Sequence, residues 1–413
     1  MARTSKELAH DGLAPARPSG GEPARVGPCR SGLCAIETFR DEFVLEPDGP
    51  VYLDGNSLGR LPKRAQRLAA ELVNKQWGER LIRGWNEGWY DLPRRLGAKI
   101  GQIIGARPDE VVVCDSTSVN LFKLATAALR ARAPRNEIVT SERNFPSDLY
   151  VLDGCGRVRF GEAGASTALV ALTQTDFRTA ETVDLVSETG DIHAAGAWAL
   201  WDLSHSAGAL PIDMTASRAE LAVGCTYKYL NGGPGAPAYL YVRREVQALV
   251  RSPIQGWFGH GDPFAFAKEY EPAIGAARFL TGTPPVVSMA LIEPGLDLVL
   301  EAGVENIRAR SVELTAQLIE QADALGVEVA TPRDPARRGS HVSLRHEEAW
   351  RITRALIEEH NVIPDFRGPD LIRFGVAPLY NNDSDIDLAM ASLDHVLATR
   401  SYENYPFARL AVP

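Results

Sequence analysis

The apolar positions change period several times along the chain. Pro62 opens a stretch with Ala65, Leu68, Ala69, Leu72, Val73 and Leu81 at helical spacing, which predicts one long amphipathic helix. Short unbroken apolar runs follow at Val111–Val113, Glu137–Thr140, 168–173, 197–203 and 238–242. Unbroken rather than alternating apolar character suits strands buried on both faces of a mostly parallel sheet. Ser116 and Ser118 offer capping oxygens ahead of a helix that reaches about Arg132. Beyond residue 284 the texture changes. Stretches 286–300 and 304–325 read as long helices, 327–330, 341–344 and 371–376 as strands, and 347–360 as a further helix. Ser384 is the expected cap of a last helix over 386–399. The grouping predicts an α/β chain with a large domain and a smaller α+β domain packed on it. The expected boundaries are 1–30 for a disordered leader rich in Pro, Gly, Ala and Arg, 31–60 for an N-terminal segment packing with the small domain, 61–283 for the large domain and 284–413 for the small one.

Charge narrows the partners. A net charge of −9 argues against nucleic acid and against an anionic membrane surface. The longest apolar stretch, 286–300, is interrupted by Glu293, Pro294 and Asp297, so no membrane span is expected. The five cysteines (29, 34, 114, 155 and 225) form no CxxC and no metal spacing, and no secretory signal precedes them, so a reduced, cytoplasmic protein without a metal is expected. His341 and His346, with Glu347 adjacent, lack zinc spacing and are expected to be strand-end polarity. Lysine is scarce, at seven residues, so few are available for chemistry.

The most informative stretch runs from Trp198 to Pro237. Ala199-Leu200-Trp201 ends in Asp202, followed by Leu203-Ser204-His205-Ser206-Ala207-Gly208. Small and polar residues just past a strand's carboxyl end are where open α/β sheets place ligands. Farther on, Cys225-Thr226-Tyr227-Lys228-Tyr229 runs into Asn231-Gly232-Gly233-Pro234-Gly235. A lone lysine between two tyrosines reads as buried, and a buried lysine becomes a usable amine nucleophile. Pyridoxal phosphate needs such a lysine for its Schiff base, a carboxylate to keep its ring nitrogen protonated, and a helix N-terminus with hydroxyls for its phosphate. Lys228, Asp202 and the stretch Asp115-Ser116-Thr117-Ser118-Val119-Asn120 fit those three needs. The competing structural reading makes Asp202 a turn residue and Lys228 a paired structural lysine.

Here the residues resemble a known family. Tyr52-Leu53-Asp54-Gly55-Asn56-Ser57-Leu58-Gly59, Asn144-Phe145-Pro146-Ser147-Asp148, Gln255-Gly256-Trp257-Phe258-Gly259-His260, Gly282-Thr283-Pro284-Pro285 and Arg373-Phe374-Gly375-Val376-Ala377-Pro378-Leu379-Tyr380-Asn381, with the two blocks above, resemble the kynureninases in order from about residue 35 to 400. The resemblance implies a fold-type I, pyridoxal-phosphate-dependent transferase-like fold with a mostly parallel seven-stranded sheet. It implies hydrolysis of the Cβ–Cγ bond of L-kynurenine, or of 3-hydroxykynurenine, to anthranilate or its hydroxylated analogue and L-alanine, a step of tryptophan breakdown. Lys228 would carry the cofactor and take the α-proton, Asp202 would pair with the ring nitrogen, and Tyr227 would serve as proton donor. Thr117, Ser118 and Tyr227 would reach the phosphate and Phe145, Asp148, Thr173 and His205 would contact the rest of the cofactor, joined by Trp257 and Thr283 from a second subunit of a homodimer. Arg373 would clamp the substrate's α-carboxylate, with Asn56, Ser57 and Trp85 beside it. Trp85 and Gly282-Thr283 are similar to the bacterial form, whereas residues 153–167 form a shorter stretch than in most relatives.

Three other readings compete. A cysteine desulfurase on the same fold needs a nucleophilic cysteine late in the chain, and none follows residue 225. A class V aminotransferase would reveal itself by ping-pong kinetics with a keto acid. A catalytically inactive cofactor-binding protein would have little reason to keep Lys228, Asp202 and Arg373 together.

Overall fold

The computed structural model describes residues 36–408; the leader expected over 1–30 lies outside them, as do Cys29 and Cys34. The N-terminal segment carries a short strand, β1 (Val51–Tyr52). Helix α1 (Lys63–Glu71) starts directly after Pro62, as the spacing predicts, but it ends ten residues early. The chain continues as a wide π-type helix over Leu72–Arg80 and a tight turn over Leu81–Trp85. Wider hydrogen bonding breaks the 3.6-residue register, and Val73 and Leu81 emerge exposed rather than on the buried stripe. Helix α2 (Leu92–Ile103) restores the register with one buried face.

Seven strands make the main sheet: β2 (Val111–Val113), β3 (Glu137–Thr140), β4 (Arg157–Phe160), β5 (Thr167–Thr173), β6 (Trp198–Asp202), β7 (Leu221–Gly224) and β8 (Tyr239–Val242). Their order is β2-β8-β7-β6-β5-β3-β4, and only β8 runs against the rest. Every residue of β2, β3, β6, β7 and β8 is buried, which is the condition their unbroken apolar runs anticipate. Helices α3 (Thr117–Ala131), α4 (Pro146–Cys155) and α5 (Leu185–Ala194) connect the strands. Because six strands share one direction, the loops leaving β2, β3, β5, β6 and β7 all emerge at one edge of the sheet. That edge is the carboxyl side, where the chemistry-bearing segments sit.

The expected helix over 286–300 is two helices, α6 (Val286–Ala290) and α7 (Glu293–Ala302). Pro294 stands in the first turn of α7, where its missing N–H costs nothing, and it cannot continue α6. Helix α8 (Val304–Ala324) leads to β9 (Glu328–Val329), β10 (His341–Arg345), helix α9 (Ala349–His360), β11 (Val362–Ile363), β12 (Asp365–Arg367) and β13 (Leu371–Gly375). Strands β12-β13-β10-β9 form an antiparallel sheet, covered by α8, α9 and α10 (Asp383–Thr399). The cap of α10 is Asn382, not Ser384: its side chain accepts from the Asp385 amide, and Asp385 reaches back to the Asn382 amide, a reciprocal pair that satisfies two orphan donors.

The N-terminal segment is fastened to this second sheet. Strand β1 pairs in parallel with β11, Asp54 bridges to Gly375, and Arg40 pairs with Asp385 at 2.7 Å. A Cβ at Gly375 would lie 1.6 Å from the end of the Asn56 side-chain amide, so glycine is required there by the close approach. No helix among the described residues is long and apolar enough to cross a membrane.

Candidate active site

A cavity of about 590 Å³ opens at the carboxyl edge of the seven-stranded sheet, between that edge and β12–β13. Its first wall is the turn after β2. Asp115 takes φ 45°, a left-handed conformation uncommon outside glycine, where the strand turns into the helix. Ser116 caps α3 by accepting from the Val119 amide at 3.3 Å, and the hydroxyls of Ser118 and Ser147 lie 3.3 Å apart. The N-terminus of a 15-residue helix ringed with hydroxyls is an anion cup. Beneath it, Lys123 is fully buried; its ammonium pairs with Asp115 and donates to the Phe279 carbonyl at 2.7 Å.

Asn144 fixes the second wall. It donates to the Thr140 hydroxyl and the Ala171 carbonyl, each at 2.9 Å, and accepts from the Thr173 amide at 3.0 Å. Those three bonds lock the loop after β3 against β5 and leave the Phe145 ring open to the cavity, edge-on to Phe177 at 5.1 Å. Asp148, one turn into α4, is buried beside Asp202. Burial and the neighbouring carboxylate hold its carboxyl well above the usual range, so it keeps its proton. Asp202 ends β6 and accepts from the Ser204 amide at 2.8 Å. Thr173, at the end of β5, has a buried hydroxyl with no partner in the chain.

Lys228 opens onto the same cavity, and its amine lies 2.8 Å from His205 Nε2. Burial pushes the amine below its ordinary value, and the cations of Arg373 and Arg367 push the same way against Cys225 and Asp202. His205 is held well below the usual imidazole range by burial and by Lys228, and its Nδ1 has no partner. A neutral imidazole therefore faces an amine that loses its proton readily. Tyr227 keeps its phenolic proton, held first by Cys225, then by burial and by Asp202. The loop is anchored from the far side: the Gly59 amide donates to the Tyr227 carbonyl at 2.7 Å, and a Cβ at Gly59 would lie 2.4 Å from the Lys228 carbonyl.

The opposite wall comes from the antiparallel sheet. Arg373 on β13 stands directly across from Asp365 on β12 and pairs with it. It also donates to the Ser57 hydroxyl at 3.0 Å and to the Phe177 carbonyl. The Asn56 amide, turned so that its oxygen faces the guanidinium, lies 2.7 Å from Arg373 Nε.

The structure thus brings together Ser57, Thr117, Ser118, Phe145, Asp148, Thr173, Asp202, His205, Tyr227, Lys228 and Arg373 around one cavity, with Asn56 behind Arg373. It does not bring Trp85, Trp257 or Thr283 to that cavity. Trp85 packs on Trp89 and Phe258, and Trp257 packs on Phe258 and Phe264. His341 is not strand-end polarity: it is fully buried, edge-on to His205 at 5.8 Å, with neither ring nitrogen partnered. Arg367, Asp365, Phe177, Ser147 and Ser204 are site residues that sequence reasoning missed; only Ser147 and Ser204 lay inside motifs that pointed to the site. A larger hollow, about 830 Å³, lies beside β3, β4 and α5, but no lysine or histidine lines it and none of its polar side chains is buried without a partner.

The donor set fits pyridoxal phosphate: an enclosed amine, a carboxylate lining the same cavity, an aromatic face, a hydroxyl-lined helix end and an unpartnered buried hydroxyl. Comparison with known proteins agrees. Residues 307–393 match the kynureninase C-terminal domain family. The chain is 41% identical over 397 residues to a kynureninase of Pseudomonas fluorescens, covering 90% of this chain and 95% of that one. It is 41% identical over 400 residues to a kynureninase of Burkholderia mallei (strain SAVP1), covering 91% and 96%. In fold it is similar to an apo cysteine desulfurase from Thermococcus onnurineus NA1, with TM-score 0.75 and 18% identity over 88% of this chain and 98% of that one. A C-DES variant with glycine covalently linked to its PLP cofactor is similar at TM-score 0.73 and 17% identity, covering 86% and 98%.

Proposed function

The chain belongs to the kynureninase family, and from that premise we infer that it hydrolyses the Cβ–Cγ bond of L-kynurenine to anthranilate and L-alanine with pyridoxal phosphate. The observation that carries the reading is the enclosed Lys228 amine, 2.8 Å from a neutral His205 and on the same sheet edge as Asp202. When bound, the cofactor supplies an electron sink for the pair released at the substrate's α-carbon and then at its β-carbon. Every other task falls to side chains. Lys228 takes the α-proton, for which a burial-lowered amine is suited. Asp202 would pair with the ring N–H and favour its charged form, and Asp148 beside it, its carboxyl raised by burial, would add little negative charge. Phe145 would cover one ring face. Thr117, Ser118 and the first amides of α3 would hold the phosphate. Arg373 grips the α-carboxylate, orienting the α C–H toward Lys228. Water adds to the γ-carbonyl, and Tyr227, whose phenol is held protonated, delivers a proton to the departing β-carbon.

The remaining contacts come from a second copy. Trp257 and Thr283 lie away from their own cavity, and between them in sequence Phe266 and Ile274 are 80% and 90% exposed. A homodimer that buries this stretch brings Trp257 and Thr283 to the partner's phosphate, and Trp85 toward the partner's substrate. The free thiols of Cys114, Cys155 and Cys225 accord with residence in a reducing cytoplasm. None of these three cysteines lines the cavity, which disfavours sulfur transfer. The test is product analysis by mass spectrometry after incubating the holoenzyme with L-kynurenine and 3-hydroxykynurenine separately. Anthranilate (or its hydroxylated analogue) with alanine is expected; transamination products or no turnover of either would overturn the assignment.

A further inference from the structure

The carboxylate wall holds two guanidiniums, although only Arg373 is implied by the family pattern. Resting on the reading above, we propose that Arg367 is a second donor to the substrate's α-carboxylate, with Asp365 as the shared internal anion that holds both arginines in place. Asp365 is 2% exposed. One of its oxygens accepts from its own neighbour's amide, Phe366, at 2.7 Å and from Arg367 Nη1 at 2.8 Å. The other accepts from Ser57 at 3.2 Å and from Arg373 Nη2. Ser57 in turn lies between the two guanidiniums, 3.0 Å from Arg373 and 3.4 Å from Arg367.

The two arginines differ in what they have left to give. Arg373 is fully buried, and Asp365, Ser57, the Phe177 carbonyl and Asn56 take up all but one of its five N–H donors, that one on Nη1. The Arg367 side chain is 30% exposed and lines the cavity, and its Nε makes no hydrogen bond within the chain. Arg373 is therefore the back of the subsite and Arg367 its open face. The charge sum points the same way. Two guanidiniums face one carboxyl group, Asp365, and the second acid nearby, Asp54, is pushed up to about 7 by burial and by Asp365, so its negative charge is incomplete at neutral pH. The wall keeps a surplus positive charge, which one ligand carboxylate neutralises. Paired forked donors in a desolvated wall favour a planar carboxylate over a single point anion.

The experiment titrates the holoenzyme's visible absorbance with two probes: L-alanine, which carries amine and carboxylate, and ethylamine, which carries the amine alone. For Arg367→Gln the apparent Kd of L-alanine should rise about tenfold, the loss of one charged hydrogen bond, while ethylamine stays within about twofold. Arg367→Lys should recover part of the loss, and in turnover KM should rise while kcat largely holds. Unchanged L-alanine binding by Arg367→Gln, or equal weakening of both probes, overturns the proposal. Arg373→Gln run alongside separates the failures. If it alone discriminates between the probes, Arg367 is no donor and the parent reading stands; if neither variant does, the carboxylate subsite is misplaced altogether.

Discussion

The floor and the wall of the cavity are built on opposite principles. The floor, at the edge of the parallel sheet, collects groups that burial leaves under-partnered: the Lys228 amine, the His205 ring with an idle Nδ1 and the protonated Asp148. The wall, on the antiparallel sheet, holds groups whose hydrogen bonds are nearly saturated: Arg373, Asp365, Ser57 and Asn56. Under-partnered groups change protonation easily and can move a proton; saturated ion pairs keep their charge and can only hold a ligand. The comparison teaches that proton chemistry and ligand grip are separated by fold element as well as by residue type. Variants of the floor should therefore cost activity without stability, and variants of the wall should cost both.

The largest effect is expected for Lys228→Ala. Activity should fall by more than about 10³-fold and the visible absorbance of the cofactor linkage should vanish. The cofactor-free protein should melt no lower than wild type, because an under-partnered amine contributes little to stability. A purified variant with its absorbance intact would refute the role of Lys228, and a large drop in Tm would break the contrast. Arg373→Ala comes next. Its KM should rise about 10²-fold with cofactor retained, and stability should drop by about 3 kcal/mol because Asp365 loses its buried partner. Loss of cofactor instead would move Arg373 from substrate to cofactor binding.

A smaller effect concerns pH. The Asp54 carboxyl, raised from 3.8 to about 7, holds a proton in the folded chain that the unfolded chain has already released. Its contribution is full below the ordinary carboxylate pKa and is lost as pH rises through about 7. Urea melts at mildly acidic and mildly alkaline pH should show that slope in wild type and a flatter one in Asp54→Asn; identical slopes would remove Asp54 from the wall's charge sum. The smallest effect is expected for Ser116→Ala, which loses the cap of α3 at a cost of about 1 kcal/mol. Cofactor retention should weaken a few-fold with kcat unchanged, and an unaltered cofactor affinity would show that the cup does not depend on its cap.

Much of the floor was legible in the sequence. Unbroken apolar runs announced the parallel strands, and Asp202, Lys228 and the hydroxyls after β2 stood where such strands end. The wall was less legible. Arg373 was marked by the family resemblance alone, and Asp365, eight residues before it, by nothing until antiparallel register sets the two face to face. Arg367 belonged to no motif, and His341 looked like strand-end polarity because nothing local marks a strand start as buried. The helix breaks had local causes. Pro294 was seen as an interruption of apolar character but not as a helix start, and the wide turns of Leu72–Arg80 leave no trace in apolar spacing. Trp257 and Thr283 are exposed away from the cavity, where no local pattern gives them a task.

The stretch from Asp54 to Gly59 is pinned at both ends, to Gly375 on one side and to the Tyr227 carbonyl on the other. Like a gauge block, six residues of peptide set the spacing between the loop that carries the Lys228 amine and the strand that carries the Arg373 guanidinium. With those groups in the roles proposed above, a homologated amino acid, one methylene longer between nitrogen and carboxylate, should bind out of line.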